Sequence, residues 1–214
     1  MPRYGMADEI ASSVIHGIGI VLSIAGLALL VAWTALHGGA LAVVAGSVFG
    51  TALILLYTAS TLYHAIPLAH IKPLLRTLDH IAIFLLIAGT YTPFTLLALP
   101  PAWGWSLFAL IWTLAIAGSV LELGLLKRYR GLAVWLYVAM GWVVLVAIVP
   151  LKASLEPAGM ALLLGGGVAY TVGVPFYLWR KLPFHHAIWH AFVLLGSVLH
   201  YLAVLLYVLP DGGA

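Results

Sequence analysis

Residues 10–71 contain no Asp, Glu, Lys or Arg. A helix that crosses a bilayer needs about 20 apolar residues, so an uninterrupted run of this length must fold into more than one of them. His37-Gly38-Gly39 supplies the break. Residues 80–121 form a second uncharged run of double length, interrupted at Leu99-Pro100-Pro101, and three further stretches are each long enough for one span. Charged residues make up 7% of the 214, where a soluble domain carries about 25%. The chain is therefore expected to be an all-α integral membrane protein, a seven-transmembrane helix bundle forming a single domain over residues 1–214. The helices are predicted near 12–36, 40–64, 79–98, 104–125, 131–151, 157–179 and 186–209. Pro93 and Pro175 fall inside spans and predict kinks, which neighbouring helices can accommodate.

Orientation follows from the cations. If the segments alternate sides, Arg3, Lys72, Arg76, Lys127, Arg128, Arg130, Arg180 and Lys181 share one side and Lys152 stands on the other. The positive-inside rule then makes the N-terminus cytoplasmic and the C-terminus exoplasmic, in a multi-pass protein of the cell (inner or plasma) membrane. Trp103, Trp105 and Trp179 lie near span ends, where interfacial aromatics belong. No cleavable signal peptide is expected, because the first span is too long for one. No basic run or aromatic platform points to nucleic acid, and the expected partner is membrane lipid. With no cysteine in the chain, disulfides and thiolate metal sites are excluded, and a metal would have to be held by imidazole and oxygen.

This topology brings several polar residues to one depth. Ser60 and His64 end the second helix, Asp79 opens the third, and His186 and His190 open the seventh, all on the cytoplasmic side. Residues four apart share a helix face, so His186 and His190 can aim at one point, as can Ser60 and His64. Such residues in a bundle face its interior or a wet cavity. Three imidazoles form a neutral tridentate site that suits zinc with a fourth, open position for water. Asp79 could take a proton from that water or hydrogen-bond a ligating imidazole, and Ser60 could hold the water or a substrate carbonyl. The alternative is a set of interior histidines that merely satisfy one another.

The remaining polar residues are assigned lesser roles. His16, with Ser12 and Glu9, either supports the metal ligands from behind or is a hydrated helix terminus. His80 and His185 point away from their neighbours Asp79 and His186 and are not ligands. His70 belongs to a loop at the lipid headgroups with Lys72 and Arg76. His200 lies about 15 Å deeper than His190 by helix rise and is an interior hydrogen-bonding group. Glu122 is expected to pair at the interface with Lys127 and Arg128. Gly89, Gly118, Gly173 and the Gly165-Gly166-Gly167 run read as close helix contacts. Tyr57, Tyr63, Tyr91 and Tyr170 could lend hydroxyls to a cavity, though packing is their commoner use.

The segments STLYH (60–64), RTLDHIAIFLLIAGTYTP (76–93), KRYRGLAVWLYVAMGW (127–142), GGVAYTVGVPFY (166–177) and HHAIWHAFVLLGSVLHY (185–201) resemble the bacterial hemolysin III-type membrane proteins. These fall within the progestin and adipoQ receptor superfamily, which includes the adiponectin receptors and is distantly similar to alkaline ceramidases. The resemblance runs from DEIASSVIHGIG (8–19) to the last helix. It implies a seven-helix bundle with an inward N-terminus and a Zn2+ ion near the cytoplasmic side, held by His64, His186 and His190. It also implies that Asp79 contacts the water on that ion and that Ser60 fills the motif serine position. In the first helix Glu9 and His16 match the family pattern, while Ser12 stands where Asn is common.

The resemblance leaves the function open between three readings. One is a zinc-dependent intramembrane hydrolase of a lipid amide or ester, ceramidase-like, whose interior admits a lipid or fatty acid ligand. Another is a non-enzymatic sensor or regulator with structural zinc. The last is a cytolytic pore, which rests on the family name alone and has no amphipathic or secreted segment to support it.

Overall fold

The computed structural model describes residues 5–209, without the side chains of residues 127, 128 and 130. Arg3, Lys127, Arg128 and Arg130, which carry half of the predicted charge asymmetry, therefore lie wholly or by their side chains outside the described residues. Of the described residues 89% are helical and none is in a strand. It forms 7 helices long and apolar enough to span a membrane: α1 Met6–His37, α2 Ala40–Ala65, α3 Lys72–Ala98, α4 Pro101–Glu122, α5 Gly131–Ser154, α6 Pro157–Leu178 and α7 His185–Val208. Apolar side chains such as Leu36, Val146 and Val149 remain exposed on the outer surface, as lipid requires.

All the predicted spans exist, but three begin earlier than expected. α1 starts at Met6 and α3 at Lys72, although the sequence reading began them at residues 12 and 79, where the charges end. The charged residues continue these helices because they have interior partners. α4 likewise opens at Pro101 and closes at Glu122, rather than running from 104 to 125. Pro101 sits at N1, where its missing N–H costs nothing. The consequence for the site is direct. Asp8 and Glu9 belong to the first turns of α1, and Asp79 lies two turns inside α3 rather than at its mouth.

Helices adjacent in sequence pack as neighbours from α1 to α4; α5 touches α3, α4 and α6; and α7 packs on both α6 and α1, so the bundle closes. Bare backbone at small residues sets several of these approaches. A Cβ on Gly89 would stand 2.5 Å from that of Ala52, and one on Gly118 would strike the Phe84 ring at 2.4 Å. Beyond Pro93 the end of α3 widens into a π-turn over Phe94–Ala98, a usual way of absorbing a lost helical hydrogen bond. α5 is interrupted by a 3-10 segment, Trp142–Ala147. The Tyr91 hydroxyl serves that interruption, donating to the Gly141 carbonyl at 2.7 Å and accepting from the Val144 N–H at 2.7 Å.

An elongated cavity of about 160 Å³ runs through the interior. Asp79, His186 and His190 line one end, Leu86, Ile87, Phe94 and Val193 line its walls, and His200 lies deeper within it.

Candidate metal centre

His64, His186 and His190 come together where the ends of α2 and α7 meet. One ring nitrogen from each lies within 4.8 Å of the other two, and all three residues are buried. His64 Nε2 and His190 Nε2 stand 3.1 Å apart, and the rings of His186 and His190 are 4.5 Å apart between centroids. The four-residue spacing on α7 does what helical geometry requires, stacking two imidazoles on one face opposite a third. This set could hold a metal ion.

The protonation of His64 follows from its other partner. Its Nδ1 lies 2.7 Å from Glu9 Oε2 on α1. A carboxylate only accepts, so Nδ1 carries the proton and Nε2 presents its lone pair to the cluster. Glu9 is itself held by Lys72, whose ammonium is 3.3 Å from Oε1 and also donates to the Tyr63 carbonyl. A buried carboxylate is thus tied to one imidazole and one ammonium, as its loss of hydration demands. Sequence reading offered Glu9, with His16 and Ser12, as support for the metal ligands without saying which one it holds; its bond to His64 spans two helices and leaves no local spacing to read.

Asp8 was missed altogether. Its Oδ1 accepts the backbone N–H of Ala187 at 3.1 Å, in the first turn of α7 and one residue beyond His186. Phe184, the residue preceding that helix, sits in the left-handed region at φ 55 and offers no capping side chain. Asp8 therefore caps α7 from another helix, satisfying one of the N–H groups that a helix start leaves open. Adjacent carboxylates at the start of α1 thus hold two different helices of the cluster.

Asp79 is buried on the cavity wall beside this cluster, and the Ser60 hydroxyl neighbours its carboxylate. His16 is 2% exposed, which removes the hydrated-terminus alternative. It packs behind His190 with ring centroids 3.8 Å apart and edge-on to Tyr57. His185 turns away and lies 3.1 Å from the Phe176 carbonyl. His70 is exposed in the turn before α3. Glu122 needs correction: it is buried rather than interfacial, and its Oε1 accepts from His80 Nδ1 at 2.9 Å; the side chains of Lys127 and Arg128, its expected partners, lie outside the described residues. A buried carboxylate and a half-buried imidazole on facing helices pair with one another, which the linear sequence conceals.

With this geometry in place, the relatives are informative. Residues 4–201 match the family model described as Haemolysin-III related. The chain is 50% identical to Hemolysin-3 of Bacillus cereus over 95% of its own length and 93% of the relative's. It is 45% identical to the Hemolysin-3 homolog of Bacillus subtilis, over 95% and 96% of the two chains. A more distant human protein, Monocyte to macrophage differentiation factor, is 27% identical over 75% of this chain and 68% of its own. No solved structure matches the chain. Seven apolar helices and these bacterial relatives make it a multi-pass cell-membrane protein, and the chain belongs to the haemolysin-III related family.

Proposed function

We propose that the protein is a zinc-dependent intramembrane hydrolase of a lipid amide or ester, with its N-terminus and metal centre on the cytoplasmic side. The observation that carries this reading is a buried set of three imidazoles, one oriented by Glu9, at the polar end of an otherwise apolar cavity. Zinc fits the donors: nitrogen ligands at 2.0–2.1 Å around a tetrahedral ion lie roughly 3.3 Å apart, and two of the nitrogens are 3.1 Å apart. A neutral three-histidine set leaves a bound cation's charge uncompensated by its ligands, as suits an ion that is to polarise a carbonyl and acidify water.

The chain's own residues divide the remaining work. His64, His186 and His190 would hold the ion. Glu9 fixes the His64 tautomer and makes the ring a better donor. Asp79 serves as general base, taking a proton from the attacking water and returning it to the leaving amine or alkoxide. The buried Ser60 hydroxyl, which has no hydrogen-bond partner among the described residues, is free to hold the water or the substrate carbonyl. The apolar walls receive the acyl chain and exclude bulk water. The charge asymmetry of the loops supports the cytoplasmic placement.

The test uses purified zinc-loaded protein with a ceramide and an acyl ester in mixed micelles. Released fatty acid is expected with wild type. Asp79→Asn should lower turnover by at least about 100-fold, within the usual contribution of a general base, while zinc content stays unchanged. No turnover on either lipid class by zinc-replete wild type would defeat the hydrolase and favour the sensor with structural zinc. The name Hemolysin-3 borne by the relatives suggests lysis, and bilayer conductance indifferent to Asp79→Asn would favour a pore instead.

A further inference from the structure

His200 stands on α7 about 15 Å deeper than His190 by helix rise, at 7% exposure, on the wall of the same cavity. Its Nε2 lies 2.9 Å from the Leu163 carbonyl of α6. A carbonyl can only accept, so Nε2 carries the proton. With that single proton on the ring, Nδ1 is then left as a bare acceptor. That Nδ1 is buried and has no hydrogen-bond partner.

The position is built rather than accidental. The ring lies on Gly166, where a Cβ would come within 2.4 Å of Nε2, so α6 gives up a side chain to admit it. Neighbouring polar groups of the cavity already have partners. Thr90 donates to the Leu86 carbonyl, Thr171 to that of Gly167, and Tyr91 to that of Gly141. The Tyr170 hydroxyl lies 2.8 Å from Ser197 Oγ. A buried acceptor without a donor is costly, and the ring that carries it belongs to a residue lining a cavity large enough for an occupant.

We propose that His200 is a specificity-determining residue: its Nδ1 accepts a hydrogen bond from a hydroxyl carried partway along the chain of a lipid whose head lies at the histidine cluster. The inference rests on the lipid reading of the cavity, but it needs neither turnover nor zinc, so the two can fail separately.

Binding of stearic acid and of hydroxystearic acids substituted at successive mid-chain positions is measured by displacement of a fluorescent fatty acid from purified protein. At least one positional isomer should bind up to about tenfold more tightly than stearic acid, the effect of one hydrogen bond. His200→Leu should abolish that preference while leaving stearic acid binding and metal content unchanged. Gly166→Ala, which displaces the ring without removing it, should reduce the preference and serves if His200→Leu does not fold. Equal binding of all isomers by wild type overturns the subsite alone. A preference that survives both variants also overturns it. Failure of every fatty acid to bind removes the lipid reading and the subsite with it.

Discussion

Two histidine–glutamate pairs tie helices together in this bundle, one fully buried and one partly so. His64 meets Glu9 at 2.7 Å across α2 and α1; His80 meets Glu122 at 2.9 Å across α3 and α4. Locally the pairs are alike, each an imidazole whose Nδ1 faces a carboxylate in an apolar setting. They differ in what lies beyond the ring. The far nitrogen of His64 faces His190, with His186 completing the set, whereas no second metal-ligand cluster forms around His80 among the described residues. A histidine–carboxylate pair is thus a helix tie by default. It becomes a candidate metal site only where a third helix contributes further imidazoles, here a pair one turn apart.

The sharpest way to break this comparison is to remove one imidazole from each pair. His64→Ala should abolish retention of zinc by the purified protein, with affinity falling more than about 100-fold, beyond what loss of an outer partner costs. His80→Ala should leave zinc content as in wild type. Elemental analysis after gel filtration decides the matter; equal zinc loss in both variants would erase the distinction.

A smaller effect is expected from the carboxylates. Glu9→Ala should weaken zinc binding by roughly 10–100-fold, because the His64 ring loses the acceptor that fixes its tautomer; chelator competition measures it. Glu122→Ala should leave that affinity within about twofold. It leaves half-buried His80 without its acceptor, costing about 0.5–1.5 kcal/mol, which would appear as a lowered melting midpoint in detergent. Excess zinc should raise the midpoint of wild type and of Glu122→Ala but not of His64→Ala, since only a ligand bound to the folded state stabilises it.

The same comparison explains what could be read from the chain. Span number and helix breaks were legible because lipid leaves an uncharged run few alternatives. The cluster of three histidines was legible because His186 and His190 announce a shared face by spacing alone, and topology brought His64 to their depth. Glu9–His64 and His80–Glu122 were not, since contacts between helices depend on rotation about helix axes, which hydropathy does not fix in a chain apolar on nearly every face. Helix starts were misplaced for a related reason. A charge was taken to end a span, whereas Asp8, Glu9 and Lys72 continue theirs by finding partners inside. The 3-10 interruption of α5 also escaped notice, because its partner, the Tyr91 hydroxyl, comes from α3.

The smallest effect should come from Asp8, and it separates holding a ligand from holding the helix that carries it. Asp8 touches none of the three imidazoles; its contact is with the Ala187 N–H, beside His186. Losing such a cap costs typically about 1 kcal/mol. If that cost falls on the metal-competent arrangement of α7, Asp8→Ala should reduce zinc affinity about fivefold, well short of the Glu9→Ala loss. Asn also caps helices well, so Asp8→Asn should restore most of the affinity by keeping an oxygen at the same place, whereas Glu9→Gln should restore less, because a neutral amide enhances the donor strength of His64 less than a carboxylate does. Equal rescue at both positions, measured by the same chelator competition, would mean that Glu9 too acts only through position, and that the charge behind His64 contributes nothing to the grip on the ion.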